Sequence, residues 1–474
     1  MQTSFHTLSS GVSALQVDSA GRLTSLVLYE REWITAPLPL WQLVLQDPGD
    51  QSVIDRQRPL PASQLAAPAP ETIEQEGQSL RLRYASLPFE QETVAIDLTL
   101  TITAEDQGFA FRYAIDNQSA WTVRELRGPA LAASLAASTE SEPALLWPMG
   151  AGERVTEPAR LGVRHDPYPS RLTMPWLALH DDRGGLYFGC HEPETRTIYL
   201  NADSTRVDQA LVLSASLFPF CAPGAAWESC TVMLAPFEGS WHAAAKRYRQ
   251  WAESGWQHPA PAAPAAPAAH SARPDWITRV GGMLLVILKQ QNGEIHWSYQ
   301  DLDRISELSA ESGCDLVCLY GWTVGGHDRF YPVYEPDPAM GGEEALRAGI
   351  KRLQAAGQRV VLYTNGQLLD MQGDWFGTHG MEVAAVSERG EPFGEMWHKY
   401  KDAPGRLLAC ACQQAPAWSD HLVALARQVQ GLGADGIIYD QIGAGHPPFC
   451  FGTGHGHDNP AASHGPGVVA NMRR

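Results

Sequence analysis

A change of pattern near residue 258 is the feature that most constrains how this sequence folds. Up to about Phe237, short runs alternate between apolar and polar residues, as half-buried strands do, and no helical pattern intervenes. Turn clusters such as residues 181–185 separate the runs as hairpin loops do. The clearest runs are Leu23–Leu28, Trp41–Leu45, Leu80–Tyr84, Val94–Ile102, Phe109–Ile115, Trp176–His180, Leu186–Cys190, Thr197–Leu200 and Leu211–Phe218. We therefore predict that residues 1–238 form an antiparallel β-supersandwich.

The next two segments predict a helix followed by a linker. Over residues 239–257, Ala245, Tyr248 and Trp251 share one face at helical spacing, so this segment is predicted to be a linking helix. Residues 258–274 are dominated by Ala and Pro, a composition that favours an extended, semi-rigid connection. The chain is therefore expected to be multidomain, with a boundary in this stretch.

Residues 275–474 show a different pattern, in which strand-like runs alternate with helical ones. The strand-like runs are Gly282–Lys289, Asp315–Tyr320, Arg359–Tyr363 and Gly436–Asp440, and helices are predicted at Asp301–Ser312, Glu343–Ala356 and Pro416–Leu432. Such βα repetition predicts a parallel sheet and favours a (β/α)8 TIM-type barrel. A complete barrel takes about 250 residues, so only about the first half of one is evident, as a partial barrel domain. The apolar run Leu407–Cys412 is a further strand whose place in the barrel stays open.

The charge of the chain weighs against several classes of partner. Its 474 residues include 53 acidic and 35 basic side chains, a net charge of −18 that repels nucleic acid and anionic membranes. No run approaches the roughly 20 apolar residues of a membrane span, and the N-terminus lacks the pattern of a secretory signal. We expect a cytoplasmic protein with a neutral substrate.

The eight cysteines are scattered and lack the density of a disulfide scaffold. We predict that they are mostly reduced core thiols. The pairs Cys410-x-Cys412 and Cys314-x-x-x-Cys318 are alternative metal ligands, but each lies in or beside an apolar strand-like run, which favours core packing.

Polar side chains follow three of the predicted parallel strands at the ends where such sheets carry their chemistry. Asp440 ends the last run and is the predicted catalytic residue. Aromatic faces suit sugar rings, while imidazole, amide and carboxylate groups suit hydroxyls. The predicted substrate-binding residues are Trp322, His327, Asp328, Tyr363, Asn365, Gln441, His455 and His457. Each alone could instead end a turn, cap an element or pack in the core; their shared placement favours a site.

The tail after Asp440 is rich in histidine. His455-x-His457 could bind a metal, since alternate residues of an extended segment point the same way, or could hydrogen-bond to sugar hydroxyls. A disordered His-rich end is the third alternative. We adopt sugar contact as the assignment, with no metal or other cofactor expected.

Several segments carry a family resemblance. Trp322–Gly342, with Gly325-Gly326-His327-Asp328, together with residues 433–436 and 439–443, resembles the glycoside hydrolases of domain-of-unknown-function family 6259. It is more distantly similar to the barrels of α-galactosidases and endo-α-N-acetylgalactosaminidases. Residues 174–179 and 184–189 resemble the galactose-mutarotase-like sandwich that precedes such barrels.

The resemblance implies a function. In related α-glycosidase barrels the carboxylate that ends the fourth strand is the nucleophile, and Asp440 matches it if Leu407–Cys412 is not a barrel strand. It implies a retaining glycoside hydrolase of carbohydrate metabolism that acts on an α-linked sugar. The acid/base carboxyl comes from a later strand in those relatives; Glu395, Asp370 and Asp328 are the local candidates.

Two alternatives to an active glycosidase stay open. The chain could be a non-catalytic carbohydrate-binding protein, or an inactive fragment of a longer glycosidase. An open half barrel exposes a sheet edge and apolar faces, which favours pairing with a second copy as a homo-oligomer.

Overall fold

The computed structural model describes residues 4–46, 64–105, 108–136, 142–255, 274–445 and 448–474. The chain divides into two compact units, one of residues 1–258 with 458–465 and one of residues 259–457 with 466–474. The predicted linker, residues 258–274, lies outside the described residues except for its last residue. Among the described helices, none has both the length and the apolar character needed to cross a membrane.

The first unit is built from short strands and one helix. Its strands are β1 (Phe5–Ser10), β2 (Ser13–Asp18), β3 (Arg22–Leu28), β4 (Arg31–Glu32), β5 (Leu38–Pro39), β6 (Gln42–Gln46), β7 (Gln64–Ala66), β8 (Thr72–Glu76), β9 (Ser79–Tyr84), β10 (Leu87–Phe89), β11 (Glu92–Val94), β12 (Ile96–Glu105), β13 (Gly108–Asn117), β14 (Thr122–Arg127), β15 (Leu131–Ser134), β16 (Ala144–Trp147), β17 (Glu153–Val155), β18 (Val163–Tyr168), β19 (Trp176–His180), β20 (Gly184–His191), β21 (Ile198–Asp203), β22 (Ala210–Leu217), β23 (Ala225–Glu228) and β24 (Thr231–Glu238). Helix α1 (His242–Gly255) follows, in the region predicted to be helical.

Two large antiparallel sheets form the sandwich. One has the order β17-β16-β19-β20-β24-β13-β12-β9-β8, with β23 on β13, and the other has the order β18-β21-β22-β14-β6-β7, with β15 on β22. Strand β12 shows why they pack: Leu98, Leu100 and Ile102 alternate with more exposed residues and join one core with side chains of both sheets. Each of the nine predicted runs overlaps an observed strand, and β19 and β20 pair across the predicted turn. The prediction of an antiparallel sandwich is confirmed.

The second unit alternates strands and helices. Its strands are β25 (Met283–Ile287), β26 (Leu316–Tyr320), β27 (Arg359–Asn365), β28 (Leu368–Asp370), β29 (Gly394–Trp397), β30 (Arg406–Cys410) and β31 (Gly436–Asp440); its helices are α2 (Leu302–Glu311), α3 (Gly342–Ala355), α4 (Met381–Val383) and α5 (Pro416–Leu432). Strands β25, β26, β27 and β31 pair in that order, all in parallel.

Burial in this parallel sheet falls from its centre to its edges. Val317 and Leu362, on the two central strands, are fully buried. On the edge strand β25, Met283 and Leu285 are 45% and 47% exposed, and every residue of β31 is only partly buried. Within the described residues, the parallel sheet contains these four strands.

Strand β30 resolves the ambiguity of residues 407–412. It pairs antiparallel with β28 and β29 in a separate sheet of three strands. Strand β31 is therefore the fourth strand of the parallel sheet in chain order.

The end of the chain contains elements that the sequence pattern did not predict. Residues 458–465, predicted to belong to the partial barrel, lie in the first compact unit. Asn459 Nδ2 donates to the Pro219 carbonyl at 2.7 Å, and Thr197 N–H donates to the Ala461 carbonyl at 2.8 Å. A last helix, α6, spans Gly465–Arg473.

Candidate active site

Asp440 lies at the carboxyl end of β31, directly opposite Asn365 at the end of β27. The Tyr363 hydroxyl donates to Asp440 Oδ2 at 2.8 Å. Burial and the nearby Asp440 carboxylate hold the pKa of Tyr363 well above its ordinary value, so this hydroxyl stays protonated and acts as a donor. The carboxylate is thereby oriented by a residue of the neighbouring strand.

Three rings pack together next to Asp440, those of Tyr320, Tyr363 and His327, and they are named here the aromatic wall. The rings of Tyr320 and Tyr363 stack with centroids 4.0 Å apart, and the ring of His327 meets both edge-on at 5.3 and 5.2 Å. Tyr320 ends β26, so the wall is supplied by the ends of two adjacent strands and the loop after one of them. Burial, the Cys318 thiol and Asp440 raise the pKa of Tyr320 to about 12.

The loop after β26 returns to the sheet through a sharp turn at Gly321. Its φ is +59°, and a Cβ there would lie 2.1 Å from the Lys289 carbonyl oxygen, so only glycine fits. This turn brings His327 and Asp328 to the edge of the parallel sheet where the carboxyl ends of its strands lie, which is named here the rim. Asp328 itself has a φ of +60°, an uncommon conformation for a non-glycine residue that points to a constrained position.

Asp328 is the centre of a polar cluster. It forms an ion pair with Lys399, its Oδ1 accepts a hydrogen bond from the Tyr331 hydroxyl at 3.2 Å, and His327 Nε2 lies 3.5 Å from the same oxygen. Burial lowers the pKa of His327, although Asp328 opposes this effect. The imidazole is therefore neutral near pH 7, with Lys399 Nζ 3.3 Å from its Nδ1. This geometry suits a proton on Nε2, because the Lys399 ammonium can only donate.

Two predicted sugar-contacting residues are buried and bond to the backbone. Trp322 is 1% exposed, its Nε1 donates to the Tyr363 carbonyl at 2.8 Å and its ring stacks on Tyr334. Asn365 is fully buried, and its Oδ1 accepts the backbone N–H groups of Gln367 and Leu368 at 2.9 and 2.7 Å. Trp322 Nε1 and Asn365 Oδ1 are therefore engaged by the backbone, whereas Asn365 Nδ2 is buried and has no hydrogen-bond partner among the described atoms.

The remaining carboxylates differ in their surroundings. Asp370 is fully buried and accepts the backbone N–H groups of Phe330 and Gln372, so it cannot face a substrate. Glu395 lies on the antiparallel strand β29 and is partly buried. Gln441 has a φ of +62°, and its carbonyl accepts the N–H groups of two following residues, so the chain turns sharply away after Asp440.

His455 and His457 lie with two cysteines. His455 Nδ1 is 3.3 Å from Cys450 Sγ. Hydrogen bonds from Cys412, His455 and His457 lower the pKa of the Cys450 thiol. The structure thus brings these histidines to a thiol cluster, whereas Tyr363, His327 and Asp328 gather near Asp440.

Two residues of the rim were missed in the sequence. Tyr320 occupies the last position of a predicted strand, so the strand-end rule that selected Asp440 would also have found it. Lys399 comes from the long excursion between β27 and α5, where no periodic pattern marks it.

Three comparisons with known proteins relate to this arrangement. The model of the family described as "Domain of unknown function (DUF6259)" matches residues 227–464, half of the chain. A Bacteroides thetaiotaomicron protein named "Putative glycoside hydrolase" is 23% identical over 378 residues, which cover 77% of this chain and 51% of that protein. The chain thus spans about half the length of this curated relative.

Solved structures share the fold. The α-N-acetylgalactosaminidase NagBb from Bifidobacterium bifidum, in complex with GalNAc, matches 97% of this chain and 73% of its own with a TM-score of 0.70 and 13% identity. Its ligand-free form matches 94% and 72% with a TM-score of 0.67 and 12% identity. At identities this low, the structural similarity shows a common fold alone. Family membership rests on the family model, which matches half of the chain. The chain therefore belongs to the DUF6259 family.

Proposed function

We propose that this protein is a retaining glycoside hydrolase that acts on an α-linked glycoside, with Asp440 as the nucleophile. The observation that carries the proposal is the Asp440 carboxylate at the end of the fourth parallel strand, oriented by the Tyr363 hydroxyl at 2.8 Å. The name of the Bacteroides relative supports hydrolysis of glycosides. The parallel sheet is, in this proposal, the first half of a TIM-type barrel.

The chemistry assigned to Asp440 is nucleophilic. One carboxylate oxygen attacks the anomeric carbon while the bond to the leaving oxygen breaks, and that oxygen takes a proton from a second carboxyl group about 5 Å from the first. Water then attacks the glycosyl ester and releases the sugar, with its anomeric configuration retained. The Tyr363 hydrogen bond fixes which carboxylate oxygen faces the sugar.

The rim residues are proposed to hold the sugar. The Asp328 carboxylate and the neutral His327 imidazole offer an acceptor and a donor to adjacent hydroxyls, and Lys399 keeps Asp328 in place. His327, Asp328 and Tyr363 remain substrate-binding residues in this proposal. Gln441 is retained with them, next to Asp440 on the turn that leaves β31.

The test uses aryl α-glycosides with acidic phenol leaving groups, because such groups depart without a proton and isolate the role of the nucleophile. The first substrates are the N-acetyl-α-galactosaminide, for which the B. bifidum enzyme is named, and the α-galactoside. Asp440→Asn is expected to lower kcat/KM by about 10³-fold or more. Asp440→Ala with added azide should yield a β-glycosyl azide, detected by NMR.

The control is Asp420→Asn, which changes a 70% exposed carboxylate on α5 that forms a surface ion pair with Arg474. It should keep wild-type activity. Turnover by Asp440→Asn at the wild-type rate, or inversion of the anomeric configuration in the product, would show that Asp440 is not the nucleophile.

Sugar binding without cleavage is the second candidate. Asp370, one of the three local candidates for the proton donor, is fully buried and used by the backbone, which favours binding alone over a complete active site. Calorimetric binding of an α-glycoside that survives prolonged incubation with the protein would support it. Hydrolysis that depends on Asp440 would exclude it.

A further inference from the structure

Four side chains from two segments of the second unit meet at one place, one of them from the segment after β30 and three from residues 450–457. Cys412, Cys450, His455 and His457, named here the Cys2His2 cluster, each offer one ligand atom, and these atoms all lie within 4.8 Å of one another. Cys412, Cys450 and His455 are 1%, 0% and 7% exposed. Packing of a core does not require two thiol sulfurs and two imidazole nitrogens this close together.

The spacing of the cluster suits a tetrahedral zinc ion. With zinc–sulfur bonds of about 2.3 Å and zinc–nitrogen bonds of about 2.0–2.1 Å, ligand atoms at tetrahedral angles stand about 3.3–3.8 Å apart. The Sγ of Cys450 and the Nδ1 of His455 are 3.3 Å apart. Two thiolates with two imidazoles in tetrahedral geometry are the donor set that selects zinc, whereas calcium and magnesium take oxygen ligands.

The surroundings of the cluster support coordination. His455 contacts Cys450 through Nδ1 and also hydrogen-bonds the Glu382 backbone carbonyl, as metal-binding histidines do with their second nitrogen. The Gly452 backbone N–H donates to Cys450 Sγ at 3.3 Å, a contact that favours a thiolate. His457 Nε2 is buried and, among the described atoms, has no hydrogen-bond partner. A buried nitrogen of this kind calls for a bonding partner.

The local sequence lets the chain wrap closely around the cluster. Between Cys450 and His457 every second residue is glycine. A Cβ on Gly452 would lie 2.6 Å from the His455 ring, so a larger residue there would push the imidazole out of the cluster. The segment is therefore shaped for the approach of these side chains.

We propose that the Cys2His2 cluster binds one zinc ion as a closed structural site. With four protein ligands the ion has no open position for water or substrate, so its role is to hold the chain rather than to react. It ties the glycine-rich segment 450–457, which follows β31, to Cys412, which follows β30. This replaces the sugar-contact role predicted for His455 and His457.

The first test measures metal content in the full chain, purified without a histidine tag. Elemental analysis is expected to find one zinc per chain. X-ray absorption should show two sulfur neighbours at about 2.3 Å and two nitrogen neighbours at about 2.0–2.1 Å. Bound zinc without sulfur neighbours would overturn the proposal, and so would a protein that neither contains nor takes up zinc.

Variants locate the site. Cys412→Ser and Cys450→Ser should each reduce zinc to below about one tenth of an equivalent, while Cys410→Ser, a fully buried thiol two positions from Cys412, should keep it. If a variant does not fold, the wild-type protein decides: a strong chelator should lower its Tm, and added zinc should restore it. A Cys412–Cys450 disulfide, detected by mass spectrometry after alkylation, would overturn the assignment.

This inference does not depend on glycosidase activity. Zinc content, absorption spectra and Tm are read without a substrate. A protein that binds zinc but cleaves no glycoside would refute only the proposed function, and an active protein without zinc would refute only the metal site.

Discussion

At the scale of single residues, the proposed function depends most directly on the contact between Tyr363 and Asp440. The hydroxyl donates at 2.8 Å and stays protonated, because burial and the carboxylate both raise its pKa. Hydrogen bonds to charged groups contribute about 1.5–3 kcal/mol to the stability of the folded state. Tyr363 therefore has the strength of interaction needed to fix the carboxylate.

We expect Tyr363→Phe to reduce kcat on aryl α-glycosides by about 10- to 100-fold, the rate equivalent of such a hydrogen bond. The reason is that the ring stack survives while the carboxylate loses its donor. Steady-state kinetics on wild type and variant measure the effect, with KM expected to change less than kcat.

Tyr320→Phe is the matched comparison, since it removes the hydroxyl from the ring stacked on Tyr363 at 4.0 Å and leaves the donor to Asp440 in place. Its loss of kcat should be clearly smaller. Equal losses in the two variants would mean that the hydrogen bond from Tyr363 to Asp440 has no special role in activity.

At the scale of elements, Asp435 joins β27 to β31. Its Oδ2 accepts the Val360 N–H and the Gln354 amide, both at 2.9 Å, and its Oδ1 accepts from Arg359 at 2.7 Å. Burial raises the pKa of Asp435, but these hydrogen bonds and the Arg359 charge outweigh it, so the pKa lies below its ordinary value. The start of the strand that carries Asp440 is thus fixed by a carboxylate.

Asp435→Asn is expected to lower the free energy of unfolding at pH 7 by about 1–3 kcal/mol, because an amide would turn a donor toward other donors. A carboxyl whose folded pKa is depressed stabilises the fold above its unfolded pKa of about 3.9 and loses that effect as the pH falls through the folded value. The difference in the free energy of unfolding between wild type and variant should therefore shrink below about pH 4.

Urea unfolding followed by tryptophan fluorescence at several pH values measures this difference. Asp303→Asn serves as the control, since its carboxylate is 64% exposed and forms a surface ion pair with Arg352. That change should lower the free energy of unfolding by only about 0–1 kcal/mol. A difference between wild type and Asp435→Asn that stays constant as the pH is lowered from neutral to about 3 would contradict the linkage argument.

At the scale of the whole molecule, strand β25 leaves apolar side chains exposed at one edge of the parallel sheet. Strand β25 pairs with β26 on one side, and its Met283 and Leu285 are 45% and 47% exposed. Exposed apolar edge strands are templates for pairing with another chain. We therefore propose that the predicted homo-oligomer would pair through β25.

Leu285→Lys is expected to weaken self-association by at least about tenfold, because a buried lysine at the contact would lose its hydration. Sedimentation velocity over a range of concentrations measures it. Ile277→Lys, which adds the same charge at a residue 46% exposed outside the sheet, should leave association unchanged. Equal association of all three proteins would rule out pairing through β25.

Much of the architecture follows from local pattern. Alternation with period two predicted nine runs that each overlap a strand of the first unit, and apolar runs predicted the four described parallel strands, because both patterns reflect which faces are buried. The same rule placed Asp440 at a strand end. Strand ends of a parallel sheet share one edge, so a candidate site could be proposed before any contact was known.

The roles of individual side chains were decided only by the tertiary structure. Trp322 and Asn365 follow strands as Asp440 does, yet Trp322 Nε1 and Asn365 Oδ1 bond to the backbone, and no local pattern in the sequence predicts these bonds. Lys399 reaches Asp328 from a distant loop. Cys412 meets Cys450 and the two histidines across a helix and a strand. Sequence patterns report burial along one element, whereas these groupings depend on how separate elements fold onto each other.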